Sequence, residues 1–187
     1  MPHKAVFLDR DGTLIEDKDY LSRPEDVVIY PGVPQALRRL AEAGFKLVIV
    51  TNQSGVGRGY FTLADVENVH RHLLDRLGAR IEKIYVAPEA PNQASRGRKP
   101  SPQFLFDARD ELGIDLAQSY MVGDKLIDLA CGWNAGLKRA ILVRTGYGVK
   151  VEAQKTPELA RAVVVEDFPA AADWILNDAA AVTQGSR

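Results

Sequence analysis

Cysteine is almost missing from this sequence, since the 187 residues contain only one, Cys131. This excludes an intramolecular disulfide framework and a zinc cage built from several cysteines. Long apolar runs are also missing, both near the start, which reads MPHKAVFLDRDG, and farther along the chain. We therefore expect neither a secretion signal nor a membrane-spanning segment, and we predict a cytoplasmic protein.

An excess of charge of one sign is missing as well. Twenty-four Lys and Arg residues face 25 Asp and Glu residues, which leaves a formal net charge of -1. No global basic field is available to attract nucleic acid or an anionic membrane, so any anion must be bound locally. The hydrophobic fraction of 46% is enough for one buried core at this length. We expect a monomer with a single domain over residues 1–176 and a weakly ordered tail at 177–187.

Short apolar runs recur along the chain and alternate with helical patterns. Such runs are typical of central parallel strands, which are covered on both faces. They lie at residues 4–8, 46–50, 84–86, 120–122 and 140–143, with a late run at 163–165. The spacing of apolar residues predicts helices at 34–43, 62–77 and 102–112. Strands that alternate with helices indicate a doubly wound α/β fold with a parallel sheet.

Polar residues follow these predicted strands, at the edge where a doubly wound sheet binds its ligands. Asp9 and Asp11 follow the first run, and Gly12 allows a sharp turn that keeps them at the sheet edge. Thr51 follows the second run, and Asp124 follows the fourth. We therefore take these side chains as the candidates for a functional site.

Two carboxylates as close in sequence as Asp9 and Asp11 repel each other. At an effective dielectric constant of about 20, two like charges about 4 Å apart cost about 4 kcal/mol. A hard divalent cation would offset that cost, and Asp124 offers a third oxygen ligand, which suits Mg²⁺ better than zinc. Asp128, one helical turn later, either ligates the metal directly or orients its ligands. The pattern therefore predicts a magnesium site.

A magnesium ion beside an aspartate is suited to phosphoryl transfer, whose main requirements are positioning and charge neutralisation. Lys99 supplies a further positive charge, and Thr51 can donate a hydrogen bond to a phosphate oxygen. One carboxylate would attack phosphorus, and the other would protonate the leaving alkoxide and later accept a proton from water. Two other classes stay open: a receiver-type domain that carries phosphoaspartate, and a module that only binds phosphosugars.

Four motifs resemble, in order, those of haloacid dehalogenase superfamily phosphatases. They are FLDRDGTL at 7–14, VTNQSG at 50–55, RKP at 98–100 and MVGDKLID at 121–128. Within the superfamily, the sequence is most similar to the family of D-glycero-D-manno-heptose 1,7-bisphosphate 7-phosphatases and histidinol phosphate phosphatases. The resemblance implies a Mg²⁺-dependent phosphatase without a large cap domain. It implies the heptose bisphosphate as substrate, from which the 7-phosphate would be removed, with histidinol phosphate or another small sugar phosphate as the alternative.

The resemblance also implies a role for each motif residue. Asp9 would be the nucleophile that forms an aspartyl-phosphate, and Asp11 would be the general acid and base. Asp9, the backbone carbonyl of Asp11 and Asp124 would bind Mg²⁺. Thr51 would hold phosphate, while Lys99 would stabilise charge on the nucleophile and the phosphate. The implied substrate-binding positions are Asp17, Lys18, Asp19, Tyr20, Asn52, Gln53, Ser54, Arg98 and Lys125.

The loop before the RKP motif departs from the family pattern. Members usually carry three cysteines and a histidine there, which bind structural zinc. In this chain residues 86–100 read VAPEAPNQASRGRKP, without Cys or His. Structural zinc is therefore not expected, and the loop must be held by Pro88, Pro91 and hydrogen bonds, or remain mobile.

Overall fold

The computed structural model describes residues 2–184. Six parallel strands form one sheet: Ala5–Leu8 (β1), Lys46–Asn52 (β2), Lys83–Ala87 (β3), Tyr120–Gly123 (β4), Arg139–Val143 (β5) and Val163–Val165 (β6). Their order across the sheet is β3-β2-β1-β4-β5-β6. The predicted doubly wound α/β fold is confirmed. The late run at 163–165 also joins the sheet, because it pairs in parallel with β5.

Seven α-helices lie among residues 2–184: Val33–Glu42 (α1), Ser54–Gly57 (α2), Leu63–Leu77 (α3), Gln103–Leu112 (α4), Leu126–Asn134 (α5), Gly148–Ala153 (α6) and Phe168–Gln184 (α7). Helix α3 begins where its sequence predicts, because Thr62 and Asp65 form a capping box. It ends at Gly78, which adopts the left-handed conformation common after helices. None of the helices described here has both the length and the apolar composition needed to cross a bilayer.

Side chains alternate along each strand, so the sheet contributes to two hydrophobic cores. Val6 and Leu8 of β1 pack on the side of α1, α3 and α7. Ala5 and Phe7 pack on the side of α4, α5 and α6. Both faces of the sheet are therefore buried, which explains why its strands appear in the sequence as uninterrupted apolar runs.

Strand β1 lies at the point where the sheet begins to grow in the opposite direction. Strands β2 and β3 extend from it to one side, and β4, β5 and β6 extend to the other. Doubly wound folds bind ligands in the crevice at the carboxyl ends of the strands at such a point. Residues that follow β1, β2 and β4 therefore converge on one site.

The C-terminal segment differs from the prediction of a weakly ordered tail at 177–187. Residues 177–184 continue helix α7, and the three alanines at 179–181 favour helix. The hydroxyl of Tyr120 donates a hydrogen bond to Asp178 at 2.7 Å, which ties this part of α7 to β4. Residues 185–187 lie outside the described residues.

Candidate active site

Three buried carboxylates meet at the carboxyl end of β1. Asp9 follows β1, Asp124 follows β4, and Asp128 lies in the first turn of α5. One oxygen atom from each of these carboxylates lies within 4.8 Å of the other two. The fold thus brings Asp9 together with two acids that come more than a hundred residues later in the sequence.

The acidic cluster has chemistry that fits a divalent cation. Burial raises the pKa values of Asp9 and Asp124, and the charge of Asp9 raises the pKa of Asp124 further. Oδ1 of Asp124 is buried and accepts no hydrogen bond from the residues described. Carboxylate oxygens with unused lone pairs are ligands that Mg²⁺ prefers. The residues present therefore fit the predicted magnesium ion.

Two glycine-containing turns hold Asp124 in place. The backbone N–H of Tyr147 donates to its Oδ2 at 2.8 Å. Gly12 and Gly146 pack so closely that a Cβ atom on either would lie 2.2 Å from the same Oδ2 atom. Both glycines also have positive φ angles, of +85° and +57°, so both positions need glycine for space and for backbone conformation. The hydroxyl of Thr145 joins the turns by donating to the carbonyl of Gly12 at 2.6 Å.

Lys99 is buried and uses all three of its ammonium hydrogens within the protein. Its Nζ lies 2.5 Å from Oδ1 of Asp9, 2.7 Å from Oδ1 of Asp128 and 2.7 Å from the carbonyl oxygen of Val50. Burial opposes the charge on Lys99, but the two carboxylates outweigh burial and raise its pKa. The ammonium group therefore stays charged and orients the carboxylate of Asp9.

Asp128 uses both of its carboxylate oxygens to support the site. Oδ1 pairs with Lys99, and Oδ2 accepts a hydrogen bond from the backbone N–H of Lys125 at 2.9 Å, which caps helix α5. The sequence left open whether Asp128 ligates the metal or orients its ligands. These contacts favour the orienting role.

Asp11 has a different environment from the acidic cluster. Nε and NH2 of the buried Arg10 donate to its two oxygens at 2.9 and 3.0 Å. Nε2 of Gln53 donates to Oδ2 of Asp11 at 2.9 Å and to Oγ1 of Thr51 at 2.8 Å. Burial acts to raise the pKa of Asp11, but Arg10 and the hydrogen bonds outweigh burial and lower it. Because the Asp11 side chain lies outside the three-carboxylate cluster, only its backbone carbonyl is left for the predicted metal contact.

Adjoining cavities open outward from the carboxylates. Two of them, of about 220 and 210 Å³, share walls formed by Asp11, Asn52, Ser54 and Lys125. The predicted substrate-binding residues that line these two cavities are Asp17, Asp19, Tyr20, Asn52, Gln53, Ser54, Arg98 and Lys125. Lys18 does not line either cavity, and its Nζ lies 3.7 Å from the carboxylate of Glu16.

Sequence reasoning missed several residues at the site. Arg10 and His70 support Asp11, while Tyr147 and Lys150 line a third cavity of about 400 Å³ beside the first two. Arg10 could have been found, because a charged residue between two aspartates at the end of a buried strand needs a buried partner. Tyr147 and Lys150 follow β5, so the rule that selects residues after the strands would have found them too.

The loop at 88–98 is held by hydrogen bonds. Oε1 of Gln93 accepts from the backbone N–H of Ala90 at 2.7 Å. The hydroxyl of Ser95 donates to Oε2 of Glu89 at 2.6 Å and accepts from the N–H of Arg98 at 3.1 Å. NH1 of Arg98 then donates to the carbonyl of Glu89 at 3.0 Å. This network places Arg98 on the wall of the cavity of about 220 Å³ that Asp9 and Lys99 also line.

Comparison with known proteins gives matches over nearly the whole chain. A family model described as polynucleotide kinase 3 phosphatase matches residues 4–130, and a HAD-hydrolase-like model matches residues 97–171. The D-glycero-β-D-manno-heptose-1,7-bisphosphate 7-phosphatase of Haemophilus ducreyi is 41% identical, over 90% of this chain and 98% of that protein. The protein of the same name from Escherichia coli (strain K12) is 40% identical, over 96% of this chain and 92% of that protein.

A solved structure also has a closely similar fold. The crystal structure of D,D-heptose 1,7-bisphosphate phosphatase from B. bronchiseptica, complexed with magnesium and phosphate, superposes with a TM-score of 0.85. The two sequences are 36% identical, and the match covers 94% of this chain and 99% of the other. At this coverage, the similarity extends over nearly the whole length of both chains.

Proposed function

The chain belongs to the D-glycero-β-D-manno-heptose-1,7-bisphosphate 7-phosphatase family of haloacid dehalogenase-like phosphatases, and we propose that it removes the 7-phosphate of that sugar bisphosphate. The observation that carries this proposal is the buried cluster of Asp9, Asp124 and Asp128, with Lys99 set against it. Family membership makes the chain an enzyme, and it decides against the receiver-type domain and the simple binding module.

Asp9, Asp124 and the backbone carbonyl of Asp11 would hold Mg²⁺ in this site, with Asp128 orienting the cluster. When bound, the ion supplies positive charge that offsets the charge of the phosphate oxygens. Thr51 helps to hold the phosphate. Because its Oγ1 already accepts a hydrogen bond from Gln53, its own hydroxyl hydrogen is free to donate to a phosphate oxygen.

In the first half of the reaction, a carboxylate oxygen of Asp9 attacks phosphorus. An Asp9–phosphate bond forms while the phosphate ester bond to the sugar breaks. Asp11 enters this step protonated and donates that proton to the departing sugar oxygen, so the sugar leaves with a hydroxyl group. The proton that Asp11 accepts from water in the second half restores this form. Lys99 holds Asp9 in the orientation for attack, because its ammonium binds Oδ1 of that carboxylate.

In the second half, water hydrolyses the aspartyl-phosphate. Asp11, now a carboxylate, accepts a proton from the water molecule as that molecule attacks phosphorus, and the bond between Asp9 and phosphorus breaks. Inorganic phosphate then leaves. Arg10 and Gln53 support this step, because their hydrogen bonds favour the anionic form of Asp11 that can act as a base.

The outer part of the site suits a small sugar better than a polynucleotide. The third cavity is lined by Glu16, Asp17 and Asp19, with Lys150 as the cation in its wall. Carboxylates of this kind accept hydrogen bonds from sugar hydroxyls, but they repel the repeated phosphates of a nucleic acid strand. A monomeric state and a cytoplasmic location stay predictions from composition.

A kinetic screen tests the proposal. The substrates are both anomers of the heptose bisphosphate, histidinol phosphate, simple sugar phosphates and a 3′-phosphorylated oligonucleotide, each assayed for phosphate release with Mg²⁺ and with a chelator. We expect the highest kcat/KM with a heptose bisphosphate, and loss of activity without Mg²⁺. A higher kcat/KM with histidinol phosphate or with the oligonucleotide would overturn the substrate assignment.

A further inference from the structure

A chain of hydrogen bonds runs from the partly buried Asp11 to the buried face of helix α3. Arg10 is fully buried, and two of its nitrogens, Nε and NH2, hold the oxygens of Asp11. The third, NH1, lies 2.9 Å from Nε2 of His70. His70 is 60 residues away in the sequence and is also buried. A side chain in the middle of a helix is thereby connected to a carboxylate of the active site.

The contact with Arg10 defines the state of His70. A guanidinium has only donors, so Nε2 of His70 must accept, and the ring is therefore neutral with its proton on Nδ1. Burial, reinforced by the charge of Arg10, lowers the pKa of His70 to about 4, which keeps the ring neutral in the physiological range. If the ring were removed, NH1 would lose this acceptor inside the protein, where an unpaired donor is costly.

Helix α3 gives His70 a firm position. The helix is fixed at its N-terminus by the capping box of Thr62 and Asp65, and it is fixed along its length by the core residues Val69 and Leu73. The acceptor for Arg10 is therefore set by the hydrophobic core and not by substrate.

Arg10 in turn determines where the carboxylate of Asp11 lies. It provides two charge-assisted hydrogen bonds to Asp11, and Gln53 provides one more. If the guanidinium rotated about its own axis, both bonds from Arg10 would break together, because they come from one planar group. Asp11 would then be held by Gln53 alone, and its distance from the leaving oxygen would be poorly defined.

We infer that His70 is a positioning residue for general acid–base catalysis, since it binds NH1 of Arg10 and so orients the guanidinium that places the carboxylate of Asp11. The inference rests on the proposed function, because that function assigns the two proton transfers to Asp11. His70 itself lies behind Arg10 and acts only through it.

Two substrates with different leaving groups test the inference in the variant His70→Leu. A sugar phosphate needs a proton from Asp11 as its alkoxide leaves, so we expect its kcat to fall about tenfold, part of the roughly 10²–10⁴ that general acid–base catalysis contributes, with KM within about twofold. The leaving group of p-nitrophenyl phosphate needs no proton. The initial burst of nitrophenolate should therefore keep its rate and amplitude, while the later steady-state rate falls because Asp11 also activates water.

Matched variants distinguish the loss of Arg10 positioning from a general destabilisation of the fold. His70→Gln keeps an acceptor near NH1 and should recover most of the kcat on the sugar phosphate. His72→Leu is the same replacement on the same helix, where the ring contacts Arg76 at 3.3 Å, and it should leave both substrates unaffected. His70→Asn, whose side chain is too short to reach Arg10, gives the same test if leucine is not tolerated.

Three results would overturn the inference. The first is an equal loss of burst amplitude and sugar phosphate turnover in His70→Leu, which would indicate that the variant is merely unfolded in part. The second is unchanged turnover of the sugar phosphate in that variant or in His70→Asn. The third is a glutamine variant as slow as the leucine variant. Absence of phosphate release by the unmodified protein would instead overturn the phosphatase function itself, and the inference with it.

Discussion

Nζ of Lys99 lies 2.5 Å from Oδ1 of Asp9, and both side chains are buried. The same ammonium group also binds Asp128, while Oδ1 of Asp124 is left without a hydrogen bond among the described residues. The cluster therefore holds three carboxylates, two of which pair with Lys99, while Nζ of Lys125 lies 4.0 Å from Oδ1 of the third, Asp124. The remaining negative charge is what a magnesium ion would offset.

Replacement of Lys99 by Met should destabilise the metal-free protein. Asp9 and Asp128 would lose a shared buried partner, and breaking a buried ion pair in this way costs about 3–5 kcal/mol. We expect the free energy of unfolding in a chelator to fall by about 3 kcal/mol, and Mg²⁺ to restore part of it. Urea unfolding with and without Mg²⁺ measures both effects.

Lys138→Met is the control for this experiment. Lys138 pairs with Asp178 at 2.6 Å, but both side chains are more than 20% exposed, and exposed pairs contribute about 0–1 kcal/mol. The free energy of unfolding should therefore fall less in the control than in the Lys99 variant, and Mg²⁺ should not restore it. An equal fall in the free energy of unfolding in the two variants would contradict the larger contribution that we assign to the buried ion pairs of Lys99.

Replacement of Gly146 by Ala should weaken Mg²⁺ binding. The new Cβ would lie 2.2 Å from Oδ2 of Asp124 and would push this carboxylate out of place. We expect an affinity loss of about tenfold, as is common when the support of a metal ligand is disturbed. Gly136→Ala has a similar backbone cost, because Gly136 has φ +74°, but no atom lies within 4 Å of its added Cβ. Calorimetric titration of both variants with Mg²⁺ should show the loss of affinity only in Gly146→Ala.

The pH dependence of stability should contain a contribution from His70. Its pKa is lowered from 6.5 to about 4 in the folded protein, so the unfolded chain binds more protons between these pH values. The free energy of unfolding should therefore fall as the pH drops from about 6.5 to about 4, by on the order of 3 kcal/mol. This contribution is absent from His70→Leu, so the stability gap between that variant and the unmodified protein should narrow toward acid pH. Parallel stability profiles of the two proteins would refute the assignment.

Replacement of Ser95 by Ala should loosen the loop at 88–98. The hydroxyl of Ser95 joins Glu89 to the backbone of Arg98, and the loss of two hydrogen bonds costs on the order of 1–3 kcal/mol locally. We expect faster proteolytic cleavage in this loop and a higher KM, with kcat nearly unchanged. Asn92→Ala, at an exposed position of the same loop, should change neither the rate of cleavage nor KM. A lower kcat with an unchanged KM would argue that Arg98 is not positioned by this network.

The outline of the molecule followed from the sequence because it depends on local patterns. Buried parallel strands must be apolar on both faces, so the runs at 46–50 and 140–143 identified β2 and β5 within one or two residues at their ends. The chemistry of the site was also readable, since Asp9 and Asp124 each follow a strand directly and Thr51 is the last residue but one of β2.

What the sequence by itself determined is the order of the elements, the edge of the sheet where ligands bind and the kind of reaction that carboxylates there can perform. Only the tertiary structure decided which side chains support the carboxylates of the site. The contact of Arg10 with His70 and that of Tyr147 with Asp124 join residues far apart along the chain. Helical periodicity indicates that His70 lies near a buried face, but its partner depends on how α3 packs against the sheet, and no local pattern specifies that packing.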